Sequence, residues 1–496
     1  MSLRVFAFTE ACNRAMGRAR ALGVYAILRA QDNRERVVGV VNGHTDLVSV
    51  QMSSGLGVQV FNPEGFSGFA SSDMITPESA ERLVESATIL ARASAGFGAE
   101  PSREIYKIRP LIRELPRETE MGFDALSPAR EEQLALSACR TGAEVDPRLA
   151  VRTNYRIVDE EWRIVRSDGT DVMFSMPRAA LMNMITARSD GHAASVNASV
   201  SGEDASIIAS EKGWNALEKR TRKAANTAIA LLGAPRVRAG SYRIVIDYAL
   251  AKGLAHEAFG HAAESDCMDS SILGRDGRFQ AGRVVAPDFV SIVDGPVEGD
   301  YAYQPISANG VIRETVDIVR NGVLGRALAD VFSAARAGSP ITGAGRAESF
   351  RNIPLPRMSN IRLTVDHPLS LEKAFEDVTP EDVRDTLGRA GLLRDDEPVL
   401  YLSGYKGGQV NPAKGDFVFN CSAICQLTPN AIHLCQPAIF SGKVLSALGA
   451  IMAGIGRPMI DAMGTCGKAG QGAPSSGGGN MFLVIEQNEE ITIGGV

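Results

Sequence analysis

The sequence predicts the α+β fold class: a two-domain α/β protein with antiparallel and mixed sheets. Three observations support this prediction. The chain has 496 residues, more than one ordinary hydrophobic core accommodates. Its content of 45% apolar and 22% charged residues is typical of a folded, soluble protein. Finally, helical segments with recognisable capping residues are interspersed with segments of period-two hydrophobicity, which is the pattern of half-buried strands.

The first half is predicted to begin with a helix over residues 9–22. Strands are expected over 24–33, 35–43 and 46–61, and their alternating apolar positions indicate a half-buried antiparallel sheet. A second helix is expected over 76–95, because Thr76 is a suitable N-cap and Pro77 suits the first helical position. Its buried face is predicted to consist of Ala80, Leu83, Val84, Ala87 and Leu90.

The remainder of the first half leads to a predicted domain boundary. The charged, Pro-rich stretch 105–120 is expected to form loops, followed by a helix over 129–141 and strands within 151–174. A polar Ser/Ala/Gly run over 189–206 precedes a strong helix over 214–235, closed by Gly233 and Pro235. We therefore predict an N-terminal α/β domain over 1–235 and a C-terminal domain over 236–496.

The second half is expected to contain a strand over 241–248, directly followed by a helix over 249–265. Short strands with Gly and Pro turns come next, and another helix is predicted over 441–456. The Gly-rich stretch 470–479 is predicted to be a loop, either mobile or close to the backbone of a neighbour. A terminal strand is expected over 481–487.

Charge and hydropathy argue against several classes of partner. The formal net charge of -6 provides no basic surface for DNA or RNA, so we expect no nucleic acid partner. The N-terminus lacks the features of a signal peptide, and no run approaches the ~18 apolar residues that cross a bilayer. We therefore expect no membrane association and a cytoplasmic location, in which the seven cysteines are reduced.

The stretch HEAFGH places His256 and His261 five positions apart, with Glu257 directly after the first histidine. Two imidazoles and an adjacent carboxylate are components of a metallohydrolase site. A regular helix turns by about 140° over five residues, so this pair needs a local π-bulge to meet at one ion. Gly260 tolerates such a distortion or ends the helix. On the motif alone, two histidines placed by chance remain an equal alternative.

A third ligand would favour the metal site over chance. The candidates are Glu264, Asp266 and Cys267 nearby and Cys421, Cys425, Cys435 and Cys466 at a distance. Cys466 is preferred, because it lies between a predicted helix and a Gly-rich stretch, where a loop brings a thiolate close to a site. Cys421 and Cys425 are more simply explained as small buried side chains.

These residues resemble the TldD/PmbA family of metallopeptidases, in its metal-bearing TldD branch. That family combines a His-Glu-x-x-x-His helix with a distant Cys-Gly-Lys-x-Gly-Gln segment, which correspond here to HEAFGH and CGKAGQ. Further similar segments are LVSVQMSSGLGVQVF in the first half and PLPRMSNI and GGQVNPAKGDFVFN in the second. The resemblance therefore extends over most of the chain.

The resemblance implies that His256, His261 and Cys466 bind Zn²⁺ and that Glu257 is the general base. One thiolate with two imidazoles also suits zinc better than magnesium or calcium. The candidates for substrate contacts are the residues beside the cysteine, Gly467, Lys468 and Gly470. Lys468 is expected either to act on the thiol or an oxyanion, or to be a solvated lysine.

The resemblance also implies an assembly. Residues 1–235 would form the substrate channel and dimer contacts, and 236–496 would form the metal-binding catalytic domain. The chain would be a homodimer, or a heterodimer with a TldE/PmbA-like paralogue. The substrates would be unfolded or extended peptides that reach an enclosed site.

One stretch departs from the family pattern. The family commonly has Asp-Glu-Gly before the segment that corresponds to IVRNGVL, whereas this chain has Ala308 and Asn309 where the acids are expected. Because the metal set is intact, the hydrolytic centre should be too. The change is expected to affect substrate handling or the partner interface.

Three functions are compatible with the sequence. The first is a zinc-dependent peptidase that processes leader or precursor peptides, or degrades unfolded proteins, by Glu-assisted attack of water. The second is an amide hydrolase that uses the same site to modify a peptide or natural product. The third is a non-catalytic regulatory binding protein in which the zinc is structural.

Overall fold

The first half of the chain forms a predominantly antiparallel sheet. The computed structural model describes residues 3–97, 101–394 and 397–494. Within these residues, the strands of the first sheet are β1 (Tyr25–Val41), β2 (His44–Phe61), β3 (Ser67–Ser72), β4 (Ile112–Leu115), β5 (Leu149–Arg166), β6 (Asp171–Ser175), β7 (Arg178–Ser189) and β8 (His192–Gly202). Their order is β3-β2-β1-β5-β6-β4, with β7 paired to β5 and β8 to β7.

A long hairpin of β1 and β2 dominates this sheet. Its register runs from Tyr25 opposite Phe61 to Val41 opposite His44. Asn42 and Gly43 form the turn with φ values of 49° and 78°, as the favoured two-residue hairpin turns require. The strands predicted separately over 24–33 and 35–43 are one continuous strand, because no turn residue interrupts the ladder.

One prediction for the first half needs correction, and one stretch without an assigned structure is a strand. The stretch 105–120 is not entirely loop, since β4 lies within it and pairs in parallel with β6. The polar run over 189–206 contains all of β8, which is antiparallel to β7. Small Ser and Ala side chains give little period-two signal, so pairing with a neighbour rather than composition determines these strands.

The helices of the first half largely match their predictions. They are α1 (Thr9–Ala21), α2 (Pro77–Ser94), α3 (Pro128–Ala143), α4 (Ser206–Ala209) and α5 (Glu211–Leu231). Thr76 Oγ1 accepts a hydrogen bond from the Ser79 N–H at 3.1 Å, which confirms the predicted N-cap. The predicted burial of Leu90 is wrong: it is 50% exposed, and Ala91 is buried instead, because that position continues the stripe of Val84 and Ala87.

The second half forms a mixed sheet with smaller ladders beside it. Its strands are β9 (Ile244–Asp247), β10 (Gly274–Arg275), β11 (Arg278–Phe279), β12 (Val290–Gly295), β13 (Val316–Arg320), β14 (Val323–Leu324), β15 (Gly345–Arg346), β16 (Leu355–Pro356), β17 (Asn360–Val365), β18 (Val399–Asn411), β19 (Asp416–Leu427), β20 (Ile432–Cys435), β21 (Ile439–Lys443), β22 (Ile451–Met459), β23 (Gly464–Lys468), β24 (Gln471–Ile485) and β25 (Ile491–Gly494). β24 is parallel to β17 and antiparallel to β9, and β9 is parallel to β18. The predicted α+β class with antiparallel and mixed sheets is confirmed.

The helices of the second half are α6 (Tyr248–Gly253), α7 (Ala334–Ala337), α8 (Pro380–Arg389) and α9 (Val444–Gly449). The helix predicted over 441–456 is therefore wrong at both ends, because 441–443 belong to β21 and the helix ends at Gly449. The chain continues there as β22, which pairs with β24. Local apolar periodicity cannot distinguish the two states in so short a segment, and the long-range pairing decides.

The Gly-rich stretch 470–479 is a strand rather than a mobile loop, since all of it after Gly470 belongs to β24. The predicted close backbone approach is confirmed. A Cβ atom on Gly478 would lie 1.8 Å from Met459 O, and one on Gly479 would lie 2.1 Å from Leu363 O. Glycine is required at these positions because backbones of neighbouring strands take the space of a side chain.

The core of the second half lies beneath the helix that carries HEAFGH. Leu254, Ala258 and Phe259 are buried together with Leu363 and Leu483 of the sheet. The first sheet lies before the predicted boundary at residues 235/236 and the mixed sheet lies after it, and the boundary itself remains a prediction. Among the described residues, every helix falls short of the length and apolar character that a bilayer crossing requires.

Candidate metal centre

Strand β9 leads directly into the helix that carries the two histidines. Asp247, the last residue of β9, is the N-cap of α6, and its Oδ1 accepts a hydrogen bond from the Leu250 N–H at 3.0 Å. The helix then changes type, because Leu254–Gly260 is a π-helix and His261–Ala263 is a 3₁₀ turn. His256 and Glu257 lie within the π-helix, and His261 follows it directly.

The predicted helix distortion is confirmed. The His261 N–H donates to His256 O, five residues earlier, which is the hydrogen bond of a π-helix. The two imidazole rings consequently lie near each other, with centroids 5.1 Å apart and planes at 90°. The five-residue spacing is therefore compatible with a shared ligand.

Gly260 has a different role from the one predicted. Its φ of -59° and ψ of -57° are ordinary right-handed helical values, so the bulge does not depend on glycine's conformational freedom. A Cβ atom there would lie 1.8 Å from the Sδ of Met358, which is fully buried. Glycine is required because Met358 packs against the helix backbone.

Strand β23 brings Cys466 to the histidines from 205 residues further along the chain. A two-residue turn of Ala469 and Gly470, with φ values of 50° and 76°, connects β23 to β24. The Cys466 Sγ lies 3.6 Å from the His261 Nε2. Ligand atoms of His256, His261 and Cys466 all lie within 4.8 Å of one another.

This donor set fits a zinc ion. A tetrahedral zinc that holds nitrogen at about 2.1 Å and sulfur at about 2.3 Å separates the two by about 3.6 Å, which is the distance between His261 Nε2 and Cys466 Sγ. His256 is 2% exposed, and its Nδ1 has no hydrogen bond partner in the described part of the chain. Two imidazoles and a thiol suit zinc among the common biological metals.

Burial and neighbouring charges set the protonation of the three side chains. Burial is the main cause that lowers the pKa of His256 well below its usual value, which keeps this imidazole neutral. For His261, burial is outweighed by the charge of Glu264 and the hydrogen bond to Cys466, and the pKa rises to about 10. For Cys466, burial is outweighed by the hydrogen bond to His261 and the charges of His261 and Arg357, and the pKa falls. Without metal, both shifts favour a proton on His261 and a thiolate at Cys466.

Glu264 contacts the ring of His261 rather than lying among the metal ligands. It is 1% exposed, and its Oε2 lies 3.2 Å from His261 Nδ1, on the side of the ring away from Cys466. His261 and Lys468 lower its pKa despite the burial, which acts in the opposite direction. A carboxylate on the far nitrogen of an imidazole fixes the ring orientation and the tautomer needed for metal binding. The sequence pointed to Glu264 only as one of several third ligands.

The structure locates the three residues proposed for substrate contacts beside Cys466. Lys468 is not a solvated lysine, because its Nζ is 2.8 Å from Glu264 Oε2 and 2.6 Å from Asp266 Oδ1. Gly470 forms the hairpin turn, where its positive φ favours glycine. Gly467 is exposed, with no atom within 4 Å of the place where a Cβ would lie.

Arg357 is a site residue that the sequence did not reveal. Its Nε lies 3.4 Å from Cys466 Sγ, and its Nη2 donates a hydrogen bond to Cys466 O. The guanidinium is fully buried. Because 109 residues separate the two positions, no local pattern indicates this contact.

Glu257 directly follows His256 in the π-helix. It is partly exposed, and burial is the main cause that raises its pKa, opposed by the charges of His261 and Lys252. Lys252, also missed from the sequence, is 6% exposed and donates to Ser475 Oγ at 3.3 Å. Glu257 is thus a carboxylate with a raised proton affinity beside three potential metal ligands, as a general base requires.

The other candidate ligands lie outside the cluster. Cys267 Sγ donates to the carbonyl oxygens of His261 and Glu264, at 3.2 and 3.0 Å, and so braces the turn after the π-helix. Cys421 and Cys425 are buried in β19, and Cys435 is buried at the end of β20. Asp266 pairs with Lys468. Cys466 is the thiol that meets the histidines.

Ala308 and Asn309, the departure from the family pattern, lie in the interior at 2% and 0% exposure. Both contact Arg29 of β1: its Nε donates to Ala308 O at 2.6 Å and its Nη2 to Asn309 Oδ1 at 2.9 Å. They join the first sheet to the second half of the chain. Their effect on substrates or partners remains a prediction.

Comparison with protein families gives two matches. Residues 239–467 match the C-terminal domain of PmbA/TldA metallopeptidases, and residues 26–91 match domain 1 of the same metallopeptidases. A metalloprotease of Methanocaldococcus jannaschii is 24% identical over 480 residues, 94% of this chain and 96% of that protein. A TldD homologue of Haemophilus influenzae, named a metalloprotease, is 25% identical over 90% of this chain and 88% of its own length. A zinc metalloprotease TldD homologue of Saccharolobus solfataricus is 26% identical over 52% of each chain.

Solved structures show the same fold. A Thermotoga maritima protein described as a modulator of a DNA gyrase superposes with a TM-score of 0.74 at 19% identity, covering 98% of this chain and 99% of its own. TldE from Thermococcus kodakarensis superposes with a TM-score of 0.75 at 13% identity, covering 98% and 100%. At these identities the likeness concerns the fold.

Proposed function

Because the chain belongs to the PmbA/TldD metallopeptidase family, we propose that it is a zinc-dependent peptidase of the metal-bearing TldD branch. His256, His261 and Cys466 would bind the zinc, and Glu257 would be the general base. The observation that carries this proposal is the convergence of the three ligand atoms within 4.8 Å, across 205 residues of sequence. The π-helix also supports the proposal, because π-helical segments are rare and occur frequently at functional sites.

The residues divide the chemistry as follows. Zinc, when bound, supplies a Lewis acid that polarises the scissile carbonyl and makes water a nucleophile near neutral pH. Glu257 accepts the proton of the attacking water and returns it to the leaving amine, a transfer that its raised pKa favours. Glu264 holds His261 in orientation, and Arg357 stabilises the thiolate of Cys466.

The substrate class that we propose is an unfolded or extended peptide, processed as a leader or precursor or degraded. The likeness to a TldE structure supports a dimer, either of this chain or with a TldE-like paralogue. An amide hydrolase acting on modified peptides would use the same four residues, so substrate comparison rather than site geometry separates the two.

Glu257→Gln tests the assigned base. The neutral amide keeps the shape of the side chain but cannot accept a proton, so we expect cleavage of an unfolded protein such as casein to fall by at least about 10²-fold. The zinc content should stay at the wild-type value, because Glu257 is not a ligand. Cleavage is followed by mass spectrometry and zinc by elemental analysis.

His261→Ala is the matched comparison, because it removes a ligand from the same helix. We expect it to lose both zinc and cleavage. A Glu257→Gln protein that cleaves at the wild-type rate would disprove the role of Glu257. Stoichiometric zinc without cleavage of any unfolded protein or acylated amide would favour the structural-zinc alternative.

A further inference from the structure

A polar cavity of about 340 Å³ lies between the first sheet and the β23–β24 hairpin. The first sheet contributes Gln31 and Arg178, and the hairpin contributes Thr465 and Pro474. Arg346, from the short strand β15, also lines it. The cavity therefore lies where both halves of the chain meet the strand that carries Cys466.

The cavity and the proposed zinc ligands share one hairpin. Thr465 lines the cavity and is exposed, whereas its neighbour Cys466 is buried with its Sγ at His261. Successive side chains of a strand point to opposite faces and are about 3.3 Å apart along it. The cavity and the proposed zinc ligands therefore lie on opposite faces of the hairpin, but Cys466 is close enough to Arg346 to act on its charge. A peptide that passes the edge of the hairpin would reach the cavity within a few residues of the metal.

Most charges in the cavity are already neutralised. Arg156 pairs with Glu35 at 2.6 Å, and Arg178 pairs with Glu160 at 2.5 Å. At the surface, Arg351 pairs with Asp73 at 2.5 Å. These pairs leave little demand for a further counter-ion.

Arg346 is the exception. It is 3% exposed, and the acceptors of its guanidinium are the uncharged oxygens Gln304 Oε1, Met358 O and Pro474 O, at 2.6, 2.5 and 2.5 Å. These hydrogen bonds use its Nε and Nη1, and no carboxylate in the part of the chain that the structure describes forms an ion pair with it. A buried charge without a counter-ion is costly, so an anion entering the cavity would be stabilised there.

The surroundings of Arg346 strengthen this demand. Burial, together with the charges of Arg313 and Arg357, lowers its pKa to about 9, which still leaves it protonated at neutral pH. Arg313 is compensated by Asp294 at 2.7 Å, whereas Arg357 faces Cys466. Arg346 is therefore a protonated guanidinium that lines the cavity without a partner carboxylate in the described part of the chain.

We propose that this cavity is a substrate subsite for a carboxylate of an extended peptide, bound by Arg346. The subsite rests on the proposed peptidase function, because it deepens that function by naming the substrate class. The carboxylate belongs either to an Asp or Glu side chain or to the C-terminus of the peptide. A guanidinium matches both through paired N–H donors.

Glu348 provides a matched control at the rim. It lines the same cavity, is exposed, and its Oε2 accepts a hydrogen bond from the Gly472 N–H at 2.9 Å. Its negative charge opposes an entering carboxylate, so neutralising it should have the opposite sign from neutralising Arg346.

The test measures binding, independently of turnover. Fluorescein-labelled Gly/Ser peptides of nine residues carry a central Glu or Gln with an amidated C-terminus, or a central Gln with a free C-terminus. Their affinities for the zinc-loaded full-length Glu257→Gln protein are measured by fluorescence anisotropy. We expect at least one carboxylate peptide to bind about tenfold more tightly than the neutral peptide, and which one it is identifies the source of the carboxylate.

Adding Arg346→Gln should abolish this preference, Arg346→Lys should retain part of it, and Glu348→Gln should preserve or increase it. Equal affinities of the three peptides for the parent protein would overturn the subsite, even if Arg346→Gln fails to fold. A preference that survives Arg346→Gln would overturn the assignment to Arg346. Zinc content and casein cleavage, measured in parallel on the chain with Glu257 intact, report failure of the proposed function separately.

Discussion

At the scale of single residues, the metal centre depends on side chains that do not bind metal themselves. Glu264 lies behind His261, and Arg357 lies beside Cys466. Both are buried and charged, so each leaves its ligand little freedom to rotate. Such partners orient ligands and tune their basicity.

Glu264→Gln tests this role. Loss of the negative charge weakens the hold on His261 Nδ1, so we expect zinc affinity to fall by about 10- to 100-fold. The measurement is competition with a chromogenic chelator. Asp266→Asn is the matched control, because Asp266 also pairs with Lys468 at 2.6 Å but makes no described contact with His261. Equal losses of zinc affinity in both variants would show that the ion pair with Lys468, rather than the orientation of His261, determines zinc affinity.

The site residues divide sharply by how far apart they lie in sequence. His256, Glu257 and His261 form one local motif, and Cys466 was recognisable through a second one. Arg357 and Arg346 were not recognisable from the sequence. The contact between Arg357 and Cys466, for example, joins residues 109 positions apart, and such a contact leaves no periodic pattern in the sequence. Resemblance to a family supplied the long-range pairing that residue chemistry alone left open among seven candidates.

At the scale of elements, the π-helix Leu254–Gly260 is what allows a five-residue spacing to form a site. Its packing against Met358 restricts the residue at position 260 to glycine. The contact between Gly260 and Met358 thus couples the packing of the helix against the core to the position of His261.

Gly260→Ala tests that coupling. In an ordinary helix this change stabilises by about 1 kcal/mol, but here the new Cβ overlaps Met358 Sδ. We expect a net loss of stability of about 1–3 kcal/mol and weaker zinc binding. Urea unfolding and zinc titration measure the two effects.

Two further variants make this result specific. Gly449→Ala, at the end of α9 with no atom within 4 Å of the added Cβ, should leave stability nearly unchanged. Met358→Ala should restore zinc binding to the Gly260→Ala chain, because it removes the overlapping atoms. If Gly260→Ala alone is as stable as the parent and binds zinc equally well, the packing explanation is wrong.

Elements were predictable where local chemistry determines them. The N-cap at Thr76 is local, and α2 accordingly follows the sequence, whereas Asn42 and Gly43 were assigned to a strand over 35–43 and form the β1–β2 turn. β22 and the Gly-rich part of β24 are set by pairing with distant strands, and their sequences were misread as helix and loop. The glycines there reflect close backbones rather than mobility.

At the scale of the whole molecule, the second half provides the metal ligands and the first half closes one side of the adjoining cavity. Arg29 of β1 reaches across to Ala308 and Asn309, so the two halves are joined by buried polar contacts. The arrangement of the sheets could be anticipated only as a class, because strand order depends on pairings between residues far apart in the sequence.

The central claim is that one zinc ion binds His256, His261 and Cys466. The most direct test is X-ray diffraction from zinc-loaded crystals on both sides of the zinc absorption edge. We predict one anomalous peak per chain, about 2.1 Å from one nitrogen of each imidazole and about 2.3 Å from Cys466 Sγ. A zinc-loaded crystal with no peak between these side chains, or with its peak at other residues, would contradict the account.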